Sequence, residues 1–251
     1  MNILTFDIEE WFHILDNDST KHEHQWNKFE SRIHKNVDII LRSLAEYKTK
    51  ATFFCLGWIA KRYPEIIRKI DAAGYEIASH SFSHQLAYQL SNEEFKEDLK
   101  KSCDSIQQIT GKKVNTYRAP GFSFTEKNIC NIESLIDFGI EVDCSIFPVS
   151  RAHGGFISFG TSMPSLIKIN NLKLKEFPLN AYSFAGLRIV CSGGGYFRLF
   201  PYFLISHWMK KTDYSIFYFH PRDFDPTQPV LKDLSLFRRF KSYVGLNSSQ
   251  N

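Results

Sequence analysis

From residue 2 to residue 143 the chain alternates short apolar runs with longer segments whose apolar positions recur at helical spacing, and this pattern restricts the fold more than any other feature. Asn2 to Ile8 reads as a first strand. Ile33, Val37, Ile40, Leu41, Leu44 and Tyr47 then mark one buried face of a helix, and Lys50 to Cys55 is a second strand. Pro64 to Ala73 predicts a helix that ends at Gly74, a residue free to take the left-handed conformation that closes a helix. Tyr75 to Ala78 is a third strand. Ser91-Asn92-Glu93-Glu94 is a capping box, which opens a helix running to approximately Gln108 and stopping before Gly111. Lys113 to Tyr117 follows as a strand, Glu126 to Phe138 as a helix closed by Gly139, and Ile140 to Asp143 as a strand. Strand then helix, repeated, implies an α/β protein with parallel strands and crossover helices, as an open sheet or a barrel.

The second half is less regular. Arg151 to Thr161 has the Gly and Ser content of a loop. Lys173 to Pro178 and Leu187 to Cys191 read as strands, the latter entering Ser192-Gly193-Gly194-Gly195; an apolar helix from Pro201 to Lys211 and a last strand, Ser215 to Phe219, complete the chain. Without an internal repeat or a low-complexity linker, a single domain over 1–251 is expected, since 251 residues with 43% hydrophobic content can build one large core.

Charge excludes one class of partner. Lys and Arg number 31 against 27 Asp and Glu, a net +4 without a run of five or six like charges, so no nucleic-acid partner is expected. No apolar stretch reaches 18 residues, which argues against a membrane span. Cys55, Cys103, Cys130, Cys144 and Cys191 form no C-x-x-C pair, and the N-terminus lacks a basic segment followed by an apolar one. Together these lead to the expectation of a cytoplasmic protein.

Five polar clusters stand at the ends of apolar runs: Asp7-Ile8-Glu9, His80 with His84, Arg118-Ala119-Pro120-Gly121, Asp143-Cys144-Ser145, and His220-Pro221. In parallel barrels the carboxyl ends of the strands converge on one face, so residues far apart in sequence meet there. His80 and His84 have metal-ligand spacing: if the chain turns into a helix after the third strand, both rings lie on one face a turn apart. Two neutral imidazoles and a carboxylate hold a divalent ion with open positions. A second carboxylate can then take a proton from water, and a separate histidine can protonate a leaving amine.

The ordered set Thr5-Phe6-Asp7, His80-Ser81-Phe82-Ser83-His84, Arg118-Ala119-Pro120, Asp143-Cys144-Ser145 and Tyr218-Phe219-His220-Pro221 resembles the polysaccharide deacetylases of carbohydrate esterase family 4. The resemblance covers Leu4 to Asp225 and implies a distorted (β/α)7 barrel, one divalent metal ion, usually zinc, and hydrolysis of N-acetyl groups on an amino sugar or glycan. It implies Asp7 as catalytic base, His80 and His84 as metal ligands, His220 as general acid, Arg118 as the partner that keeps Asp7 ionised, and Asp143 as the residue that orients and charges His220. The family's common pattern has two adjacent aspartates, but Ile8 stands at the second. A subset carries the acid one residue further along, which makes Glu9 the third ligand. Strand alternation agrees, because Asp7 and Glu9 share a face, with Glu10 the rival if the strand has already ended. Asp7 to His13 and Ser192 to Arg198 further resemble the branch found with bacterial exopolysaccharide and surface-glycan biosynthesis.

Blander explanations exist for each residue. Asp7 with Arg118 suits a structural ion pair, His220 a core histidine, Asp143 a turn cap, and Ser192 to Gly195 a plain turn; Trp11, Phe12 and Trp58 suit core or pocket wall. Residues 16–26 read as a loop over a site, and His13 and His153 as pocket residues. Ser145 lacks the Gly-x-Ser-x-Gly setting of a nucleophile. Three functions fit: a deacetylase of acetamido sugars, a hydrolase of another carbon-nitrogen bond such as a cyclic amide, and an inactive glycan-binding barrel. Oligomeric state has no signal in the sequence.

Overall fold

A computed structural model describes residues 1–15, 17–151, 154–169, 171–184, 187–190, 192–231 and 233–248. Strand β1 (Asn2–Ile8) is central for a reason visible in its residues: Phe6 and Ile8 are buried on one face and Thr5 and Asp7 on the other, so neither face is available to water. The chain continues through α1 (Glu23–Trp26), α2 (Ile33–Glu46), β2 (Thr52–Cys55), α3 (Gly57–Arg62), α4 (Pro64–Ala72), β3 (Glu76–Ser79), α5 (Asn92–Thr110), β4 (Thr116–Tyr117), α6 (Cys130–Asp137) and β5 (Val142–Asp143). It ends with β6 (Ser165–Ile169), β7 (Leu172–Glu176), β8 (Tyr182–Phe184), β9 (Leu187–Ile189), α7 (Gly194–Leu199), α8 (Tyr202–Lys211), β10 (Ser215–Phe219) and α9 (Leu236–Tyr243).

Eight strands make one sheet in the order β10-β1-β2-β3-β4-β5-β7-β6, parallel at every pairing except β6 with β7. The α/β expectation holds. Helices α2 to α6 cover the outer face, where Ile33, Val37, Ile40, Ile66, Ile70, Leu99 and Ile106 join Phe6, Ile8 and Phe53 in the main core. The inner face is filled by Phe54, Ala78, Phe122, Cys144, Leu179, Tyr214 and Ile216, so Phe53 and Phe54 point to opposite sides as alternation requires. Ser91 and Glu94 form the capping box of α5, with the Glu94 carboxylate accepting from Ser91 N at 2.8 Å, and Gly111 closes that helix at φ 68°.

The sheet curls without closing its ladder, and side chains complete the seam. Asn180 donates from Nδ2 to Tyr214 O at 2.8 Å, and its Oδ1 accepts from Ile216 N at 2.7 Å, so one amide occupies two ladder positions of β10. Tyr218 N donates to Ser192 O at 2.9 Å, adding a short extended piece beside the same strand. Residues 187–189 form a strand as expected. It pairs antiparallel with β8 in a separate hairpin outside the main sheet, while Cys191 lies outside the described residues.

Candidate active site and metal centre

The register of the sheet assembles the site. Phe6 stands opposite Phe219, so the next residues on these parallel strands, Asp7 and His220, emerge side by side. Glu9 folds back through a bond from its N–H to Asp7 O at 3.1 Å, while Ile8 points into the core. Asp7 and Glu9 face the cleft together, although β1 ends at Ile8 and Glu9 reaches the cleft through this turn. Glu10 is used elsewhere: its carboxylate accepts from Arg32 N at 3.0 Å and Ile33 N at 3.2 Å and fastens the start of α2.

His80 leaves the end of β3, and its Nδ1 lies 2.9 Å from Arg118 O. A carbonyl only accepts, so Nδ1 carries the proton and Nε2 keeps the lone pair a cation needs. His84 arrives by a route the sequence reading did not foresee. The segment after β3 is a loop, not a helix, and it turns through left-handed conformations at Ser81 (φ 64°) and His84 (φ 55°). Such non-glycine residues cost about 1–3 kcal/mol each and persist only where their surroundings fix them. Here Asp98 of α5 accepts from Phe82 N at 2.7 Å and Ser83 N at 2.9 Å, and Ser102 Oγ donates to Ser81 O at 2.9 Å.

Ligand atoms of Glu9, His80 and His84 lie within 4.8 Å of one another. Glu9 Oε2 is buried and lies 2.5 Å from His84 Nε2, with no further hydrogen-bond partner. A buried carboxylate oxygen drawn up against two imidazoles fits a divalent cation such as zinc. Burial opposes ionisation of Glu9, but the His84, His220 and His80 rings outweigh it and hold the carboxyl at about 2. Burial pushes the His80 imidazole down to about 4, the neutral form that binds metals.

Arg118 is fully buried, stacked 3.9 Å over the Phe54 ring, and its Nη1 donates to Asp7 Oδ1 at 2.6 Å and to Thr5 Oγ1 at 2.8 Å. The expected Asp7–Arg118 pair is present. Across the cleft, His220 Nε2 lies 3.9 Å from Asp7 Oδ2 and 3.5 Å from Glu9 Oε1. The carboxylate behind His220 is not the expected one. Asp223 Oδ2 sits 3.2 Å from His220 Nδ1 and accepts from His220 N at 2.8 Å, while Arg198 pairs with its Oδ1. Asp143 is occupied at the end of β5, where Oδ1 accepts from Ser145 Oγ at 2.5 Å beside the buried Glu176. Burial raises both Asp143 and Glu176, and their proximity favours one shared proton. Ser145 in turn accepts from Ala119 N at 2.7 Å, which fixes the loop after Arg118 and makes Ser145 a scaffold residue.

Burial would lower the His220 pKa, but the hydrogen bond with Asp223 and the charges of Glu9, Asp223 and Asp7 raise it to about 9. Beside Tyr218 of the last motif, residues without a sequence motif complete the cleft of about 440 Å³: Arg151, Leu15 and the side of α9. His13 packs at 5.8 Å against His84, between Trp26 and Trp58, and accepts from Glu10 N through Nδ1 at 3.2 Å. Trp11, Phe12 and Trp58 are buried wall, as expected. Gly194 has a structural task, since a methyl group there would collide with the Asp223 carboxylate. His153 lies outside the described residues.

Residues 12–138 match the family model described as polysaccharide deacetylase, and residues 144–251 match a domain of unknown function, DUF3473. Asp7 and Glu9 precede the first match, and His220 and Asp223 fall in the second. The chain is 38% identical over 81 residues to peptidoglycan-N-acetylmuramic acid deacetylase PdaC of Bacillus subtilis, covering 32% of this chain and 17% of that protein. It is 31% identical over 107 residues to a peptidoglycan deacetylase of Helicobacter pylori, covering 43% and 36%. The chain thus spans well under half the length of these curated relatives. Among solved structures, a Mycobacterium smegmatis protein named as a candidate polysaccharide deacetylase superposes with TM-score 0.66 at 22% identity, over 88% of this chain and 76% of that one. A carbohydrate esterase family 4 pseudoenzyme of Bacillus anthracis superposes with TM-score 0.52 at 17% identity, over 100% and 60%. At these identities the likeness concerns the fold.

Proposed function

The chain belongs to the polysaccharide deacetylase family, and on that premise we propose that it is a metal-dependent N-deacetylase, hydrolysing the acetamido group of an amino sugar in a bacterial surface glycan or its precursor. The observation that carries this reading is the convergence of Asp7 and His220 on either side of the Glu9, His80 and His84 set within one cleft. Glu9, His80 and His84 would hold the ion, which when bound acidifies water and polarises a carbonyl. Asp7 takes the proton of the attacking water through Oδ2, since Oδ1 is engaged by Arg118. His220 Nε2–H gives a proton to the departing amine as the carbon-nitrogen bond breaks, leaving acetate and a free amino sugar. Asp223 holds the imidazole by Nδ1, and Arg198 holds Asp223. Segment 144–251 thereby acquires a role: it supplies the acid and both residues behind it.

The fold likeness to a pseudoenzyme keeps an inactive barrel as a reading to be tested, against which stands the full set of acid, base and ligand side chains. Purified protein should release acetate from at least one member of a panel of acetamido sugars and glycans, lose that activity to a chelator, and leave cyclic amides intact. Intact, metal-loaded protein that releases no acetate from any of them defeats the proposal. Action in the cytoplasm on a precursor belongs to the same proposal and is supported by the free thiols of Cys55, Cys103, Cys130 and Cys144. Fractionation of the native protein tests it, and recovery outside the cytoplasm sinks that part alone. No helix among the described residues is long and apolar enough to cross a membrane.

A further inference from the structure

Arg151 is the unexplained cation of the cleft. Each other guanidinium group that lines or underlies it has at least one acceptor: Arg118 has Asp7, although its Nη2 is also shielded without a partner, Arg198 has Asp223, Arg222 has Gln228 Oε1 at 3.0 Å and Ser242 O at 3.3 Å, and Arg238 has Leu15 O at 2.6 Å. Arg151 makes neither a hydrogen bond nor an ion pair among the described residues, although its Nη1 is shielded from solvent. A shielded N–H on a permanently charged group is costly to leave without an acceptor, and burial of that kind survives where an acceptor arrives with a ligand. Its plane is fixed, because the guanidinium stacks 4.4 Å from the Phe147 ring and 5.9 Å from Phe122. It is also close to the chemistry. Phe122 meets Tyr218 edge-on at 4.7 Å, Tyr218 meets His220 at 5.7 Å, and Arg151 lines the same cleft as Asp7, Glu9 and His220.

Basic side chains outnumber carboxylates in the cleft. Asp7, Glu9 and Asp223 are each engaged by a cation or by imidazoles, whereas Arg151, Arg198, Arg222, Arg238 and Lys241 all line it. A neutral sugar needs hydroxyl partners, which amide side chains serve as well. A planar, preorganised and unpaired guanidinium instead suits an oxyanion, to which it can give two parallel hydrogen bonds.

We propose that Arg151 forms an anion subsite, and that the natural substrate is an acetamido sugar carrying an oxyanion, either a carboxylate or a phosphate, on itself or on the adjoining residue. The inference rests on the deacetylase reading for its reaction but not for its binding. The test uses three matched oligosaccharides that differ only in the group beside the acetamido sugar: neutral, uronic acid, and phosphate. In the metal-loaded enzyme one acidic member should exceed the neutral one in kcat/KM by roughly tenfold to a hundredfold, the size of a charge-assisted hydrogen bond to a shielded partner. Arg151→Met should bring that ratio to near one, mainly through KM, and Arg151→Lys should fall between. Which acidic member wins identifies the oxyanion. Equilibrium binding of the same oligosaccharides to Asp7→Asn protein, with and without Arg151→Met, decides the subsite even if no substrate is turned over. Absence of turnover alone would count against the deacetylase reading. Equal binding of acidic and neutral sugars by Asp7→Asn protein, or an acidic preference that Arg151→Met leaves intact at an unchanged thermal midpoint, overturns the subsite.

Discussion

Replacing Asp223 by Asn separates the two carboxylates that could tune His220. The side-chain amide keeps an oxygen for the bond from His220 N, which is 2.8 Å in the native protein, but it removes the charge 3.2 Å from Nδ1. With Asp223, Glu9 and Asp7 all present, His220 rises from 6.5 to about 9 against the opposing effect of burial, so Asp223 accounts for part of the rise and the whole of it is an upper bound on its share. At about 1.36 kcal/mol per unit this rise is worth roughly 3 kcal/mol, and screening at a ring with 26% exposure trims it to about 2 kcal/mol. The sign follows from a folded-state value raised above the unfolded one. The stabilisation is complete below 6.5 and is lost as pH rises through about 9. The variant should therefore lose most stability in acid and neutral solution, and the loss should shrink above that window. Arg198 is left without its counter-ion at every pH, so only the pH-dependent part reports on His220.

The enzymatic assay follows the same logic. The alkaline limb of acetate release, where the general acid loses its proton, should move down by about one to two pH units in Asp223→Asn, the usual effect of one adjacent charge. A bound divalent cation disfavours imidazolium in both proteins, so the displacement between them carries the information. Asp143→Asn should leave the limb in place, because Asp143 bonds to Ser145 beside Glu176. An unmoved limb in Asp223→Asn, or an equal displacement in Asp143→Asn, refutes the assignment.

The ligand set predicts that Glu9→Gln and His80→Ala lose most bound metal by elemental analysis, while Glu10→Gln keeps it and loses about 1–2 kcal/mol of stability through weaker capping of α2; metal loss in Glu10→Gln alone would reverse the carboxylate assignment. Asp7→Asn should retain metal and lose roughly two to four decades of kcat, the usual size of a general-base contribution, and near-native turnover would remove Asp7 from that role. Asn180→Ala leaves Tyr214 O and Ile216 N without their side-chain partner at the barrel seam, at about 1–3 kcal/mol for each buried group. Urea denaturation should show that loss, and an unchanged midpoint would mean that the seam is held by other contacts.

What the sequence disclosed about this site was local. Asp7, His80, Arg118 and His220 each follow an apolar run, and a parallel sheet brings the ends of such runs together, so their meeting needed no knowledge of contacts. The choice of Glu9 over Glu10 came from the family resemblance with strand parity in support, although β1 ends at Ile8 and Glu9 turns back onto Asp7 O. The helical route to His84 failed because helix geometry was the simplest way to join two rings four residues apart. The actual route uses a strained loop held by Asp98, whose partner atoms lie 15 and 16 residues away in sequence. Asp223 carried a readable signal: it is the third residue after His220 in a Pro-initiated turn, the position from which an acid caps the turn's first N–H. Arg151 carried none, since its meaning comes from Phe147, Phe122 and the lack of a counter-ion among the described residues, all properties of the folded cleft.

The same geometry ties the two matched segments together. β1 belongs to neither matched segment, yet it is flanked by β2 from the first and β10 from the second. Without β10 one edge of β1 would expose its ladder of N–H and C=O groups, and Asp7 would have no His220 across the cleft. The metal ligands and Arg118 arise from β1, β3 and β4, whereas His220, Asp223, Arg198 and Arg151 arise after residue 143. On the proposed reading, chemistry and substrate choice would divide along the chain: the first part would hold the ion and the base, and the second would deliver the acid and the cation that reads the substrate.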